Sequence, residues 1–406
     1  MSSVLFVAQA PQASLALAQE EAAPVPMPAP IMSTEPAVAP VEPALAAAPA
    51  PEPVSEAPKA PVLKIGVGLR TGLNLIFNGA PSDKVSLTLD DGLVDQANLR
   101  PYMTGDLTEN VSFFSSFEIG TAKGLGNFAI LDAIAQVKIR PEFQIWLGQH
   151  IGANDRNNMN GPFFGNGWNF AITVPSYPFD VGARDRGVTF WGLIGGGRLK
   201  YHASVLDLQK TQAIENARYA GRVTLHLLEP EDFYYNSGTY FGKKNVLAIG
   251  AVVNYQKGIE DAMMPMLEND FFGYSFDVFY EQNLGTSGTL TLEGGFWDFS
   301  GVEAGYAVNQ GTVDLGLGVV GPKDGKAYMV MASWLMPEKT GIGYIQPNAR
   351  WQAFNPDASG ASTTNTIDVG VGYIIDGFNH RWYVNYRHQD ADVSADSLQV
   401  GAQFMM

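Results

Sequence analysis

From residue 62 the chain alternates with a period of two. In 63–75 the odd positions read Leu63, Ile65, Val67, Leu69, Thr71, Leu73 and Leu75, while the even positions read Lys64, Gly66, Gly68, Arg70, Gly72 and Asn74. A helix would place apolar residues three and four apart, so this spacing predicts a strand with one face in an apolar medium and one in a polar medium. Similar segments recur to the last residue. They predict strands over 62–77, 94–105, 111–120, 128–139, 143–151, 186–194, 198–206, 217–228, 245–257, 271–284, 288–299, 327–336, 341–354, 365–375, 379–390 and 396–406. An even count returns both ends of the sheet to the same side, as bacterial membrane barrels require.

The connections add a second pattern. Six of the seven even-to-odd connections are short: 106–110, 140–142, 195–197, 285–287, 337–340 and 376–378. The exception is 229–244. The long connections, 78–93, 152–185 and 300–326, all fall in the other set. Short turns on one side and long loops on the other describe an outer-membrane barrel. A soluble sandwich would alternate too, but its outer face should carry many Lys and Glu. Here one face carries Phe, Tyr, Trp, Leu and Val, and the other is rich in Gly, Ser, Thr and Asn. The expected fold is therefore all-β: a transmembrane antiparallel β-barrel of 16 strands over 62–406.

Composition agrees with the membrane class. Charged residues make 16% of the 406 positions, aromatics 11%, and Gly numbers 44. No run of 18 apolar residues predicts a membrane-spanning helix. The break at residue 61 is sharp: 1–61 holds 13 of the 25 Pro and no Gly. Residues 19–61 read as a disordered, Ala/Pro-rich, extended periplasmic linker. Residues 1–18 read as the remnant of a secretory signal, with Ala16-Leu17-Ala18 before Gln19 as a cleavage site, or as an extension of the Ala/Pro segment. Aromatic pairs such as Phe271-Phe272, Tyr234-Tyr235 and Trp382-Tyr383 are expected in interfacial girdles, the alternative being sugar-stacking tracks.

Net charge is −16 overall and −11 over 62–406, which excludes a basic nucleic-acid surface. Zero Cys excludes thiolate sites and disulfides. No G-x-S-x-G, H-E-x-x-H or P-loop is present, and His150, His202, His226, His380 and His388 are scattered. No enzyme, metal or cofactor is therefore expected.

Parity sorts the charges. Opposite the apolar faces lie Lys64, Arg70, Lys138, Arg198, Lys200, Arg218, Arg222, Arg350, Arg381 and Arg387, ten basic residues. Seven acids share that side: Glu118, Asp132, Asp185, Asp277, Glu281, Glu293 and Asp368. Such charges line the pore. A surplus of three cations gives a mild anion preference if the charges act on passing ions, and merely a wetted wall if they pair across strands. Arg218 and Arg222, four apart, lead the first set, and Arg350, Arg381 and Arg387 form a second cluster if their strands approach across the lumen. The 152–185 connection is polar, Gly-rich and aromatic. Arg156, Asn158, Asn160, Phe164 and Trp168 are its constriction candidates if it folds inward, the alternative being an outer loop packed on a neighbouring subunit.

Several blocks resemble the phosphate-selective porin family (porins O and P). Leu131-Asp132-Ala133, Arg140-Pro141-Glu142-Phe143 and Leu147-Gly148-Gln149 look like its "DAY…P…VGQ" hairpin. Arg184-Asp185-Arg186-Gly187-Val188 is similar to its "RD-x-G" strand start. Ala220-Gly221-Arg222-Val223 with 245–256 resembles its paired middle strands. Ile345-Gln346-Pro347-Asn348-Ala349-Arg350-Trp351 and Gly372-Tyr373 through Asp376-Gly377-Phe378-Asn379 resemble its late strands. The resemblance implies a sixteen-stranded homotrimeric diffusion channel in the outer membrane of a Gram-negative bacterium, in contact with lipid and passing small hydrophilic solutes or anions. Two departures stand out. The 152–185 connection offers Arg156 and Arg184 against Asp155, Asp180 and Asp185 rather than a basic ladder, and the chain ends Phe404-Met405-Met406 rather than on an aromatic. The rival reading is an envelope-anchoring protein that contacts the cell wall through 20–61.

Overall fold

The structure is a computed structural model that describes residues 62–77, 86–87, 98–120, 127–169, 171, 184–207, 216–260, 268–301, 324–357, 360–390 and 394–406. The expected signal remnant and Ala/Pro linker lie outside these residues. Sixteen long antiparallel strands close into one barrel. In chain order they are β1 (Val62–Phe77), β2 (Asn98–Asp106), β3 (Val111–Gly120), β4 (Asn127–Arg140), β5 (Phe143–His150), β6 (Asp185–Ile194), β7 (Leu199–Asp207) and β8 (Arg218–His226). The second half holds β9 (Val246–Glu260), β10 (Glu268–Asn283), β11 (Thr289–Ser300), β12 (Gly325–Leu335), β13 (Gly343–Pro356), β14 (Thr364–Asp376), β15 (His380–Asp390) and β16 (Ala395–Met405). Two-residue strands at Ser86–Leu87 and Lys339–Thr340 pair at the edges of this wall. Every segment expected from the alternation is found.

Each strand pairs with its neighbour in sequence, and β1 closes the ring against β16, from Gly68 opposite Met405 to Phe77 opposite Asp396. The last residue takes part: Met406 N donates to Val67 O at 3.0 Å and Val67 N to Met406 O at 2.9 Å. Closure matters because lipid offers no partner to a backbone N–H or C=O, so a spanning sheet must have no free edge.

Burial runs opposite to that of a soluble protein. Ile65, Leu73, Tyr219, Val223, Ile249, Val253, Val369 and Val371 are exposed on the outer face, while Arg218, Arg222, Lys200 and Arg381 are fully buried. The apolar belt belongs in hydrocarbon, and the polar side chains pack into the lumen. Connections at one end are 107–110, 141–142, 195–198, 284–288, 336–342 and 377–379, with 227–245 as the long exception. The aromatic pairs expected as girdles straddle the wall: Phe272 and Trp382 face outward, while Phe271 and Tyr383 are buried inside. Tyr234 and Tyr235 are not at an interface at all; both are buried in the lumen.

Val223 sits mid-strand on the lipid face. Val223→Arg should cost about 2–4 kcal/mol of folding stability in bilayers, measured by urea titration of protein folded into vesicles.

Candidate functional site

Two segments enter the barrel, one from each end. The first follows β5. Asp155 caps α1 (Arg156–Phe164), accepting hydrogen bonds from Asn157 N at 2.8 Å and Asn158 N at 3.2 Å. The sequence is a poor helix former, and at Gly161 (φ 63°) before Pro162 the backbone leaves helical geometry. What holds the short helix is its cap and its surroundings, because all nine of its residues are buried.

From α1 the chain runs on across the lumen to the opposite wall. Arg381 on β15 donates to Phe163 O at 2.9 Å and Gly165 O at 2.8 Å, and Gln403 on β16 donates to Phe163 O at 2.9 Å. Arg70 on β1 donates to Trp168 O at 2.5 Å with its guanidinium 4.2 Å from the Trp168 ring, a cation–π contact. Asn166 donates to Ser333 at 2.8 Å, and Tyr383 donates to Asn166 O at 3.0 Å. Lumen-facing glycines make room for the rings. A Cβ on Gly68 would lie 2.7 Å from Phe163, and one on Gly401 would lie 2.1 Å from Trp168.

The second segment, 229–244, was visible in the sequence only as a turn too long for its side of the barrel. It folds up into the lumen and docks under the first. Asn236 N donates to Met159 O at 3.3 Å and Gly238 N to Phe164 O at 2.8 Å. Tyr234 stacks on Trp146 with ring centroids 3.8 Å apart and donates to Ile151 O at 2.7 Å. Lys200 on β7 donates to Phe233 O at 3.0 Å and to Asn236 Oδ1 at 2.8 Å. Glu281 on β10 accepts from Tyr240 N, Gly242 N and Thr239, so it organises the loop rather than facing open lumen.

The clasp between the segments is Arg156–Glu231. Arg156 Nη1 and Nη2 donate to the two carboxylate oxygens at 2.9 and 2.7 Å, and Nη2 also donates to Ser237 O at 2.6 Å. The guanidinium lies 3.6 Å over the Phe279 ring, and Tyr240 donates to Glu231 at 2.5 Å. Burial alone would raise the Glu231 carboxyl. Arg156, with help from His226 and Lys200, outweighs that and holds it well below the usual carboxylate range.

The remaining candidates sort by the strand that carries them. Arg218 pairs with Asp185 and donates to Asn254 at 2.7 Å; Arg222 holds Asp277 through two bonds of 2.5 and 2.9 Å. Arg350 and Arg387 do not meet across the lumen. They flank β14 and share its Asp368, at 2.9 and 2.8 Å, while Arg381, on β15, is turned instead to the carbonyls of the inserted segment. Asp132 takes Ser116 and Arg184. Glu118 takes Arg100 at 2.7 Å. Asn158 bonds Asp155 at 2.6 Å, Asn160 is buried, and Phe164 packs on Phe378 at 4.9 Å.

Three basic candidates lie elsewhere. Lys64 and Lys138 keep the inward parity but are exposed near strand ends, and Arg198 belongs to the 195–198 turn, where it donates to Leu227 O and Leu228 O at 3.0 Å. Arg100 was missed because β2 has no clean apolar face, with Leu99, Pro101, Tyr102 and Met103 mixing the parities. Among the described residues the buried charges number ten basic and nine acidic. The surplus of three falls to one because Asp155 and Glu231 enter on the inserted segments, while Arg100, Arg156 and Arg184 replace the three rim residues.

Between the first segment and the wall lies a small cavity of about 20 Å³. Asn157, Gly161, Asn166 and Trp168 bound it on one side, and Glu293 of β11, Met331 of β12 and Arg350 of β13 on the other.

No protein-family model and no curated protein matches the chain. Solved structures do. The anion-selective porin from Comamonas acidovorans superposes with a TM-score of 0.55 at 13% identity, over 86% of this chain and 100% of that one. OmpF of Salmonella typhi in complex with daunomycin gives 0.56 at 13%, over 85% and 97%. A loop L8 deletion mutant of OmpT, an outer-membrane protein of Vibrio cholerae, gives 0.53 at 11%, over 86% and 100%. The chain has the porin-type barrel fold.

Glu231→Gln should strand a buried guanidinium and cost the docked loop about 3–5 kcal/mol. The expected outcome is new chymotrypsin cleavage at Tyr234, which the wild type resists. A carboxyl whose folded pKa lies below its unfolded value of about 4.3 stabilises above that value and loses its effect only as pH falls through the lowered one. Wild-type resistance should therefore hold from neutral pH down to about pH 5.

Proposed function

We propose that this protein is a general diffusion porin of a Gram-negative outer membrane, assembled as a homotrimer and passing small hydrophilic solutes and ions without chemistry. The observation that carries this is the inward segment: α1 and residues 165–169 cross a sixteen-stranded barrel and leave a polar gap against Glu293 and Arg350. A segment anchored by buried charged hydrogen bonds is a fixed sieve, and it sets an upper limit on solute size.

Selectivity follows from the charge balance. With buried lumen charges at ten against nine, and most guanidiniums spent on carboxylates or carbonyls, the wall offers a slight anion bias at most. Glu293 at the gap works against that bias. The likeness to phosphate-selective porins rests on the sequence blocks around Asp132, Asp185 and Arg350. The pairing of Arg218, Arg222, Arg350 and Arg387 with aspartates favours a general pore over a phosphate trap.

Purified protein in planar bilayers under a KCl gradient tests the reading. The expected result is stepwise conductance with a chloride-to-potassium permeability ratio within about threefold of unity, as a nearly balanced lumen requires. Silence from heat-modifiable, folded protein would overturn it.

A further inference from the structure

Every buried carboxylate but one among the described residues is held. Guanidiniums hold Glu118, Asp132, Asp185, Glu231, Asp277 and Asp368; backbone N–H groups hold Asp155 and Glu281. Glu293 is the exception. Its Oε1 has no hydrogen-bond partner, and its cross-strand neighbours, Phe279 on β10 and Met331 on β12, are apolar. Leaving a carboxylate oxygen buried and unbonded is costly, and a structural core has no reason to keep one.

The same cavity holds two more unsatisfied groups. Asn166 Oδ1 and Asn157 Nδ2 lack partners, and both side chains, like Glu293, are at least nine-tenths buried. Arg350 also lines the cavity, but its guanidinium is bonded to Asp368 at 2.9 Å, so the unsatisfied groups of the lining are one anionic acceptor, one amide acceptor and one amide donor, beside the apolar surfaces of Met331 and Pro162. The complement of that set is a primary ammonium, whose N–H groups need two acceptors, on a short carbon skeleton bearing one oxygen acceptor.

Resting on the porin reading, we propose that the gap at Glu293 is a recognition subsite for small organic ammonium solutes of the amino-alcohol or amino-acid class. Glu293 and Asn166 receive the ammonium protons, and Asn157 donates to the solute's oxygen. An inorganic cation would use the carboxylate but leave the Asn157 donor and the apolar surfaces idle. Recognition here is compatible with weak potassium–chloride selectivity, because it depends on N–H donors rather than on net charge.

Bi-ionic reversal potentials in planar bilayers test this with ethanolammonium and choline chloride, each against KCl. The two probes carry the same charge, but choline has no N–H. Glu293→Gln should lower the ethanolammonium-to-choline permeability ratio about tenfold, as loss of a charged hydrogen bond implies, and Glu293→Asp should restore most of it. An unchanged ratio in Glu293→Gln, or an equal loss in both variants, would overturn the proposal and leave the porin reading intact. A silent wild-type channel would overturn both. If Glu293→Gln does not fold, wild-type protein decides alone: ethanolammonium should produce concentration-dependent block of the KCl current that choline does not, and equal behaviour of the two would overturn the proposal.

Discussion

A sheet that spans lipid has to close on itself, and closing sixteen strands creates a wide interior that faces neither lipid nor bulk water. That interior is where the chain keeps its charges, and a buried charge persists only with a partner. The pairing of inward guanidiniums therefore organises everything inside the wall. Arg350 and Arg387 with Asp368, and Arg100 with Glu118, tie adjacent strands together, while Arg222 reaches Asp277 across the intervening β9 at Gly250. Arg70, Arg381 and Lys200 reach instead for main-chain carbonyls, and those carbonyls belong to the two segments that narrow the lumen.

The inserted segments depend on each other. The first comes from the long-loop end, is capped by Asp155 and lies against glycine-bare wall at Gly68 and Gly401. The second comes from the short-turn end and lies beneath it, with Tyr234 stacked on Trp146 and Glu231 closed on Arg156. Neither has the composition of a self-sufficient element: α1 contains three Asn, a Gly and a Pro. Their conformation is imposed by partners on the wall. The gap that remains is bounded by Glu293 of β11, Met331 of β12 and Arg350 of β13.

Strand number, strand faces and the side of the barrel that carries the short turns were all legible in the sequence. Alternation reports on local geometry: a side chain at position i faces the same way as i+2 whatever the rest of the chain does. Arg218, Arg222, Asp277 and Glu293 could be assigned to the interior on that ground alone. The reading weakened where alternation did, as on β2, where Leu99 and Met103 share one parity and Tyr102 takes the other, so that Arg100 stayed hidden. It also weakened at strand ends, where Lys64 and Lys138 have the right parity but lie beyond the packed interior.

Partners are a different matter, because pairing across the lumen joins residues far apart in sequence. Nothing local to 229–244 says that this segment turns inward; its excess length was the one signal, and Tyr234-Tyr235 read as well at an interface. Nor does parity say that Asp368 serves two arginines, that Asp155 and Glu231 reduce the cation surplus to one, or that Glu293 alone among the described buried carboxylates keeps an unbonded oxygen. By itself the sequence determined the wall of this protein, because a strand's faces follow from backbone geometry. The tertiary structure decided the contents of the lumen, because those depend on which distant side chains a closed barrel brings within hydrogen-bonding distance.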